Sequence, residues 1–171
     1  KVILFDQRGT GLSSGPVDSE SISIESFIAD IEAVRMEFGI EKMNLLGHSW
    51  GGILAMHYGI RHPDKLKTLV LAPTAASSES FSEMRANYEA DRSPEDAALL
   101  GEIYSSEEYK NGDPGAVQSF WRVYFKPYFA DQSLVAGMDL IFTENTIENG
   151  NTVARHIFES IGEFDLHADL E

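Results

Sequence analysis

The stretch Met43-Asn44-Leu45-Leu46-Gly47-His48-Ser49-Trp50-Gly51-Gly52-Ile53-Leu54-Ala55-Met56 decides how this chain folds. Met43 to Leu46 is a short continuous apolar run, the pattern of a strand buried on both faces. Ile53 to Arg61 is apolar over much of a helical circumference, which predicts a deeply buried helix ended by Pro63. Between them Gly47, Ser49 and Gly51 fit the Gly-x-Ser-x-Gly pattern of a nucleophile elbow, with His48 and Gly52 completing the turn. The spacing has a mechanical reason. A serine turned sharply from strand to helix sits in strained backbone, and the positions two before and two after it come too close for side chains. The helix N-terminus then lies beside Ser49, and the Trp50 backbone N–H is a candidate donor to an oxyanion.

The flanks extend this unit. Val2-Ile3-Leu4-Phe5 reads as another buried strand, and Gln7 to Pro16, with three glycines, as a loop. Ser23 is a helix N-cap, with Phe27, Ile31, Val34 and Phe38 on one face and Gly39 as the stop. Leu66 to Ala72 is a third strand. Strand, helix, strand, helix, strand predicts an α/β fold with a parallel sheet. After Pro73 the alternation ends, and helices are expected over 81–92, 94–109, 116–129, 133–148 and 152–161, with a break at Asn149-Gly150-Asn151. The expected division is residues 1–72, carrying the sheet and elbow, and residues 73–171, helical.

Composition narrows the function. The 171 residues carry a net charge of −15, which disfavours nucleic acid and anionic membrane as partners. There is no cysteine, so thiolate catalysis and disulfides are excluded and a reducing, cytoplasmic setting suits the chain. No run of ~18 apolar residues could span a membrane. No metal or cofactor is called for.

Asp6-Gln7-Arg8-Gly9-Thr10-Gly11-Leu12-Ser13, the Gly47–Gly52 turn, and His62-Pro63-Asp64-Lys65-Leu66-Lys67-Thr68-Leu69-Val70-Leu71 together resemble the α/β-hydrolase superfamily, and within it the proline iminopeptidases. The match covers Val2 to Ala72. The helical remainder resembles that family's cap domain, with a weaker match at Phe164-Asp165-Leu166 as the hinge returning to the sheet. The resemblance implies a serine hydrolase that releases an N-terminal proline or similar residue from a small or short-peptide substrate through an acyl-enzyme on Ser49. It also implies an upstream HGGPG-type motif with the second oxyanion donor, and a triad acid and histidine following the cap. Neither appears in this sequence. The chain is therefore expected to be part of an α/β-hydrolase, inactive in isolation, with missing parts supplied by another polypeptide segment.

Each histidine has a structural reading instead. His48 points away from the serine beside it, His57 belongs to the buried helix, His62 precedes a proline in a turn, and His156 and His167 follow no sheet strand. Asp165 and Asp169 fall in the hinge. Asp6 and Arg8 are expected to pin the glycine-rich loop. The family holds the substrate's ammonium with cap carboxylates; Glu144 and Glu148, spaced i and i+4, are the candidates, and Trp50 is a candidate pocket wall. Over residues 149–154, where the resemblance places such an acid, there is none. Alternatives are an esterase or lactonase on the same scaffold, and a non-catalytic binding protein descended from a hydrolase. Ser49 argues against the aspartate-nucleophile epoxide hydrolases and dehalogenases. In the family the strands at residues 2–5 and 43–46 flank a third one. They are expected to stand about 10 Å apart, two strand spacings, with a segment between them, and not to pair directly.

Overall fold

Parallel pairing organises the described residues, 1–170, of this computed structural model. Strand β1 (Met43–Gly47) runs beside β2 (Leu66–Leu71), with Leu45 opposite Leu69 and Gly47 opposite Leu71. Helix α1 (Ile24–Glu37) precedes β1, and α2 (Trp50–Arg61) connects β1 to β2. Met43, Leu45 and Leu66 pack against the core built by α1 and α2. The opposite sheet face exposes Leu46 and Val70.

Local chemistry fixes α1. Ser23 accepts from the Ser26 N–H while the Ser26 hydroxyl accepts from the Ser23 N–H, a reciprocal cap. The helix stops in a Schellman arrangement: Gly39 takes positive φ, its N–H reaches the Met36 carbonyl, and the Ile40 N–H reaches Arg35. The buried face is Ile24, Phe27, Ile28 and Ile31, with Val34 half-buried. Phe38, expected on that face, is exposed, because the helix ends at Glu37 and Phe38 lies past its last packed turn. In α2 every residue from Gly52 to Tyr58 is buried, as its all-round apolar pattern requires.

Residues 2–5 depart from expectation. They form no strand, and Leu4 is 90% exposed. A strand exists only through its ladder, and no described residue supplies one to this run. No backbone hydrogen bond joins residues 2–5 to 43–46, so the two runs do not pair directly.

Beyond Pro73 lie α3 (Ser80–Asp91), α4 (Pro94–Ser105), α5 (Glu107–Lys110), α6 (Pro114–Phe125) and α7 (Glu144–Ile161). The run expected over 94–109 divides at Ser106, which caps α5 by accepting from the Tyr109 N–H, and two further boundaries move. The helix expected over 133–148 is instead a 3₁₀ segment, Gln132–Gly137, and an extended link, because Thr143 caps a new helix by accepting from the Thr146 N–H. The break expected at Asn149-Gly150-Asn151 lies inside α7. There Asn149 donates to Asn145 one turn earlier, and Val153 and Ile157 bury against α1 and α2. That packing outweighs the roughly 1 kcal/mol helix penalty of one glycine.

Candidate active site

Ser49 stands between the end of β1 and the start of α2 with φ 53° and ψ −125°, the sole non-glycine residue of positive φ among those described. The strain expected of the elbow is therefore present. The ladder continues past the strands to hold it. The Ala72 N–H donates to the Gly47 carbonyl at 2.9 Å, and the Ser49 N–H donates to the Pro73 carbonyl at 2.9 Å. The Ser49 carbonyl accepts from the Gly52 N–H at 2.9 Å and from the Thr74 hydroxyl at 2.7 Å. The side chain of Ser49 is exposed, and its Oγ makes no hydrogen bond to any described residue.

The glycines divide by role. A Cβ on Gly47 would overlap the Gly51 carbonyl and come within 2.7 Å of the Gly52 Cα. A Cβ on Gly52 would lie 2.5 Å from the Thr74 side chain. Gly51, expected to be as crowded as Gly47, faces open space among the described residues. The close approach is one-sided: it is the Gly51 carbonyl, not its α-carbon, that Gly47 must clear.

Trp50 opens α2. Its backbone N–H has no acceptor among the described residues, as befits the first turn of a helix. Its indole packs edge-on to Phe27 and Phe158, with centroids 6.1 and 5.9 Å away, and the indole N–H donates to Gln7 Oε1 at 3.0 Å. Gln7 belongs to the loop 6–13, which is tightly pinned. Asp6 accepts from the Leu12 N–H at 2.8 Å, and Arg8 grips Asp30. Asp6 and Arg8 thus hold the loop as expected. The N-terminal turn of α7 clamps the far end of the loop. The Gly11 N–H donates to Thr146, Thr143 donates to the Gly11 carbonyl, and Asn145 donates to the Ser13 carbonyl. Gly9 is close-packed, since a Cβ there would stand 3.0 Å from the Val153 side chain of α7.

No histidine side chain hydrogen-bonds to Ser49 among the described residues. His48 is exposed. His57 is buried in α2, its Nδ1 3.2 Å from Arg61, and burial together with that positive charge pushes its pKa down. His62 packs on Tyr58 and His156 lies beside Glu159. His167 Nδ1 sits 2.6 Å from Asp165; both are exposed, and the His167 backbone and side-chain hydrogen bonds pull the Asp165 pKa down. That pair belongs to the segment joined to residues 76–78, where Leu166 N–H donates to Ala76 and Ser78 N–H to Phe164. Glu144 and Glu148 are both exposed on α7, without an ion-pair partner among the described residues. No group of three or more metal-ligating side chains gathers among the described residues, and no described helix is long and apolar enough to cross a membrane.

Gln7, Thr74, Thr143, Asn145 and Thr146 were not singled out by the sequence. The loop and elbow motifs pointed to their neighbourhood, but these residues act through contacts with residues far away in sequence.

Residues 1–103, which carry the parallel pair, the positive-φ serine turn and the buried helix behind it, match the family model described as the alpha/beta hydrolase fold; the chain belongs to that family. Its relatives include proline iminopeptidases. It is 33% identical to that of Elizabethkingia meningoseptica over 109 residues, 63% of this chain and 37% of the relative. It is 39% identical to that of Lactobacillus helveticus over 84 residues, 48% of this chain and 29% of the relative. The matched stretch is thus 37% of the first relative's length and 29% of the second's. The solved proline iminopeptidase of Mycobacterium smegmatis superposes on 95% of this chain and 56% of its own, with TM-score 0.58 at 21% identity. An alpha/beta fold family hydrolase from Bacillus anthracis str. Sterne superposes on 96% of this chain and 58% of its own, with TM-score 0.54 at 18% identity.

Proposed function

We propose that Ser49 is the nucleophile of a serine hydrolase and that the protein releases an N-terminal residue, proline above all, from a short peptide or amide. The observation that carries this reading is the Ser49 turn: positive φ, fixed backbone, exposed hydroxyl, and a free helix N-terminus next to it. Ser49 Oγ attacks the carbonyl carbon as a base takes its proton. The Trp50 N–H donates to the oxyanion, the amine leaves protonated, and water clears the acyl-enzyme. The base is a group other than the five histidines here, since none hydrogen-bonds to Ser49. It belongs, with its acid, to polypeptide outside these residues. The helices after Pro73 act as the cap over the site, and Glu144 and Glu148 are the carboxylates offered to the substrate's ammonium. The preference for proline rests on the relatives' names. Their match covers only a minor part of each relative. A cytoplasmic setting accords with the lack of cysteine.

The test is hydrolysis of proline p-nitroanilide by the full-length protein, compared with Ser49→Ala. Loss of about 10⁴-fold or more in kcat is expected, the scale seen when a triad serine is removed. Retained activity in Ser49→Ala would overturn the assignment of the nucleophile. Turnover of p-nitrophenyl esters with none of the anilide would overturn the peptidase reading and favour an esterase.

A further inference from the structure

We propose that Gln7 is a positioning residue for the Ser49 turn, acting through Trp50, and that α7 in turn sets Gln7. The inference rests on the reading of Ser49 as nucleophile and adds to it a control that the elbow motif does not contain.

Trp50 follows Ser49 directly, so its backbone N–H and the first turn of α2 share one rigid residue with the indole. That indole is held from three directions: by Phe27 of α1, by Phe158 of α7, and at its polar edge by Gln7 Oε1. A half-buried indole N–H takes a partner wherever one is in reach, and here the partner fixes the rotation of the ring about its side-chain bonds. Gln7 is not free to drift. Its loop is tied at Arg8 to α1 and at Gly11 and Ser13 to the first turn of α7. Helix α7 therefore reaches Trp50 by two routes: directly through Phe158, and through the clamped loop to Gln7. A shift of α7 moves both supports at once. Since misplacement of a reacting group by about 1 Å costs on the order of 100-fold in rate, even a partial loss of this support is measurable.

The experiment uses the full-length protein with Trp121→Phe, so that among residues 1–171, which hold two tryptophans, Trp50 alone reports by fluorescence; tryptophans elsewhere in the protein are likewise replaced. Gln7→Leu removes the acceptor, Gln7→Glu keeps an acceptor oxygen, and Asn145→Ala loosens the clamp from α7. Active sites are titrated with a fluorophosphonate, and kcat per titrated site and KM are measured with proline p-nitroanilide. The expected result is a shift in Trp50 emission and a loss of about tenfold in kcat for Gln7→Leu, with KM little changed. Recovery is expected in Gln7→Glu, and a smaller effect of the same kind in Asn145→Ala. Parent-like kcat and emission in Gln7→Leu, or equal damage in Gln7→Glu, would overturn the proposal. If Gln7→Leu fails to fold, Asn145→Ala decides: unchanged emission and kcat overturn it. Activity surviving in Ser49→Ala is a failure of the nucleophile reading instead. In that case Trp50 emission alone still tests whether Gln7 and α7 set the indole.

Discussion

Arg8 holds Asp30 through two nitrogens, with Nε 2.7 Å and Nη2 2.5 Å from separate carboxylate oxygens. The same guanidinium donates to the Ser21 carbonyl at 3.0 Å and the Ser26 carbonyl at 3.4 Å. One side chain thus joins the loop 6–13 to the second turn of α1 and to both sides of that helix's N-cap. The hydrogen bond to Asp30 holds the Arg8 proton more firmly than usual.

That fork is the basis of the first prediction. Lysine keeps the charge but presents a point donor in place of a planar fork, so Arg8→Lys retains one contact and loses the others. Both side chains remain about 30% exposed, which keeps the cost moderate. A loss of about 1–2 kcal/mol is expected in urea unfolding. A variant within about 0.5 kcal/mol of the parent would show that the fork adds nothing beyond charge.

The two glycines flanking Ser49 give opposite expectations. Gly47→Ala drives a methyl into the Gly51 carbonyl, backbone that cannot move without moving the elbow. A cost of about 1–3 kcal/mol is expected, with loss of activity. Gly51→Ala meets open space among the described residues and removes a glycine from a helix, so it gains up to about 1 kcal/mol. Thermal melts of the two variants check the sign; equal destabilisation by both would refute the one-sided account.

Acid stability has an identifiable contributor in Glu32. It accepts from Arg35 at 2.7 and 2.8 Å and from the Tyr58 hydroxyl, and the Arg35 hydrogen bonds lead in drawing its pKa from an ordinary 4.5 to about 2. A carboxylate depressed in the folded state binds protons more readily when unfolded. Its stabilisation is complete above pH 4.5 and fades as pH falls toward 2. Glu32→Gln should therefore flatten the decline in urea midpoint across that window while also lowering the midpoint at pH 7. An unchanged slope would place the acid sensitivity elsewhere.

Much of this was readable in advance because its physics is local. Ser23 and Gly39 bracket α1 through contacts within a few residues, and the apolar runs at 43–46 and 66–72 pair as β1 and β2. The positive φ of Ser49 follows from the turn itself. What failed depended on distant partners. Val2-Ile3-Leu4-Phe5 has strand-forming residues but no ladder, and a strand needs both. Asn149-Gly150-Asn151 has the composition of a break, yet it lies in a helix held by the Asn149–Asn145 contact one turn back and by the burial of Val153 and Ile157 against α1 and α2. Gln7 and Thr74 carry no signal in isolation, since each matters only for the atom it meets.

Thr74 supports the last prediction. A serine in left-handed backbone costs on the order of 1–2 kcal/mol and persists only if its neighbours hold both its polar groups. Here the Ser49 N–H is held by the Pro73 carbonyl and its C=O by the Gly52 and Ile53 N–H groups and the Thr74 hydroxyl, so the chain leaving β2 grips both sides of the proposed nucleophile. Thr74→Val preserves shape and the packing against Gly52 but removes the hydroxyl donated to Ser49; Thr74→Ser keeps the hydroxyl and loses a methyl. One neutral hydrogen bond contributes about 0.5–1.5 kcal/mol, so Thr74→Val should lower kcat on proline p-nitroanilide by about three- to tenfold with KM little affected. Thr74→Ser should stay near the parent. If the hydroxyl mattered only for folding, Thr74→Val would lower the melting temperature and leave kcat per titrated site unchanged. If the methyl were what counts, Thr74→Ser would be the damaged variant. Either result would remove Thr74 from the support of the turn and leave the Pro73 carbonyl and the Gly52 and Ile53 N–H groups to hold it.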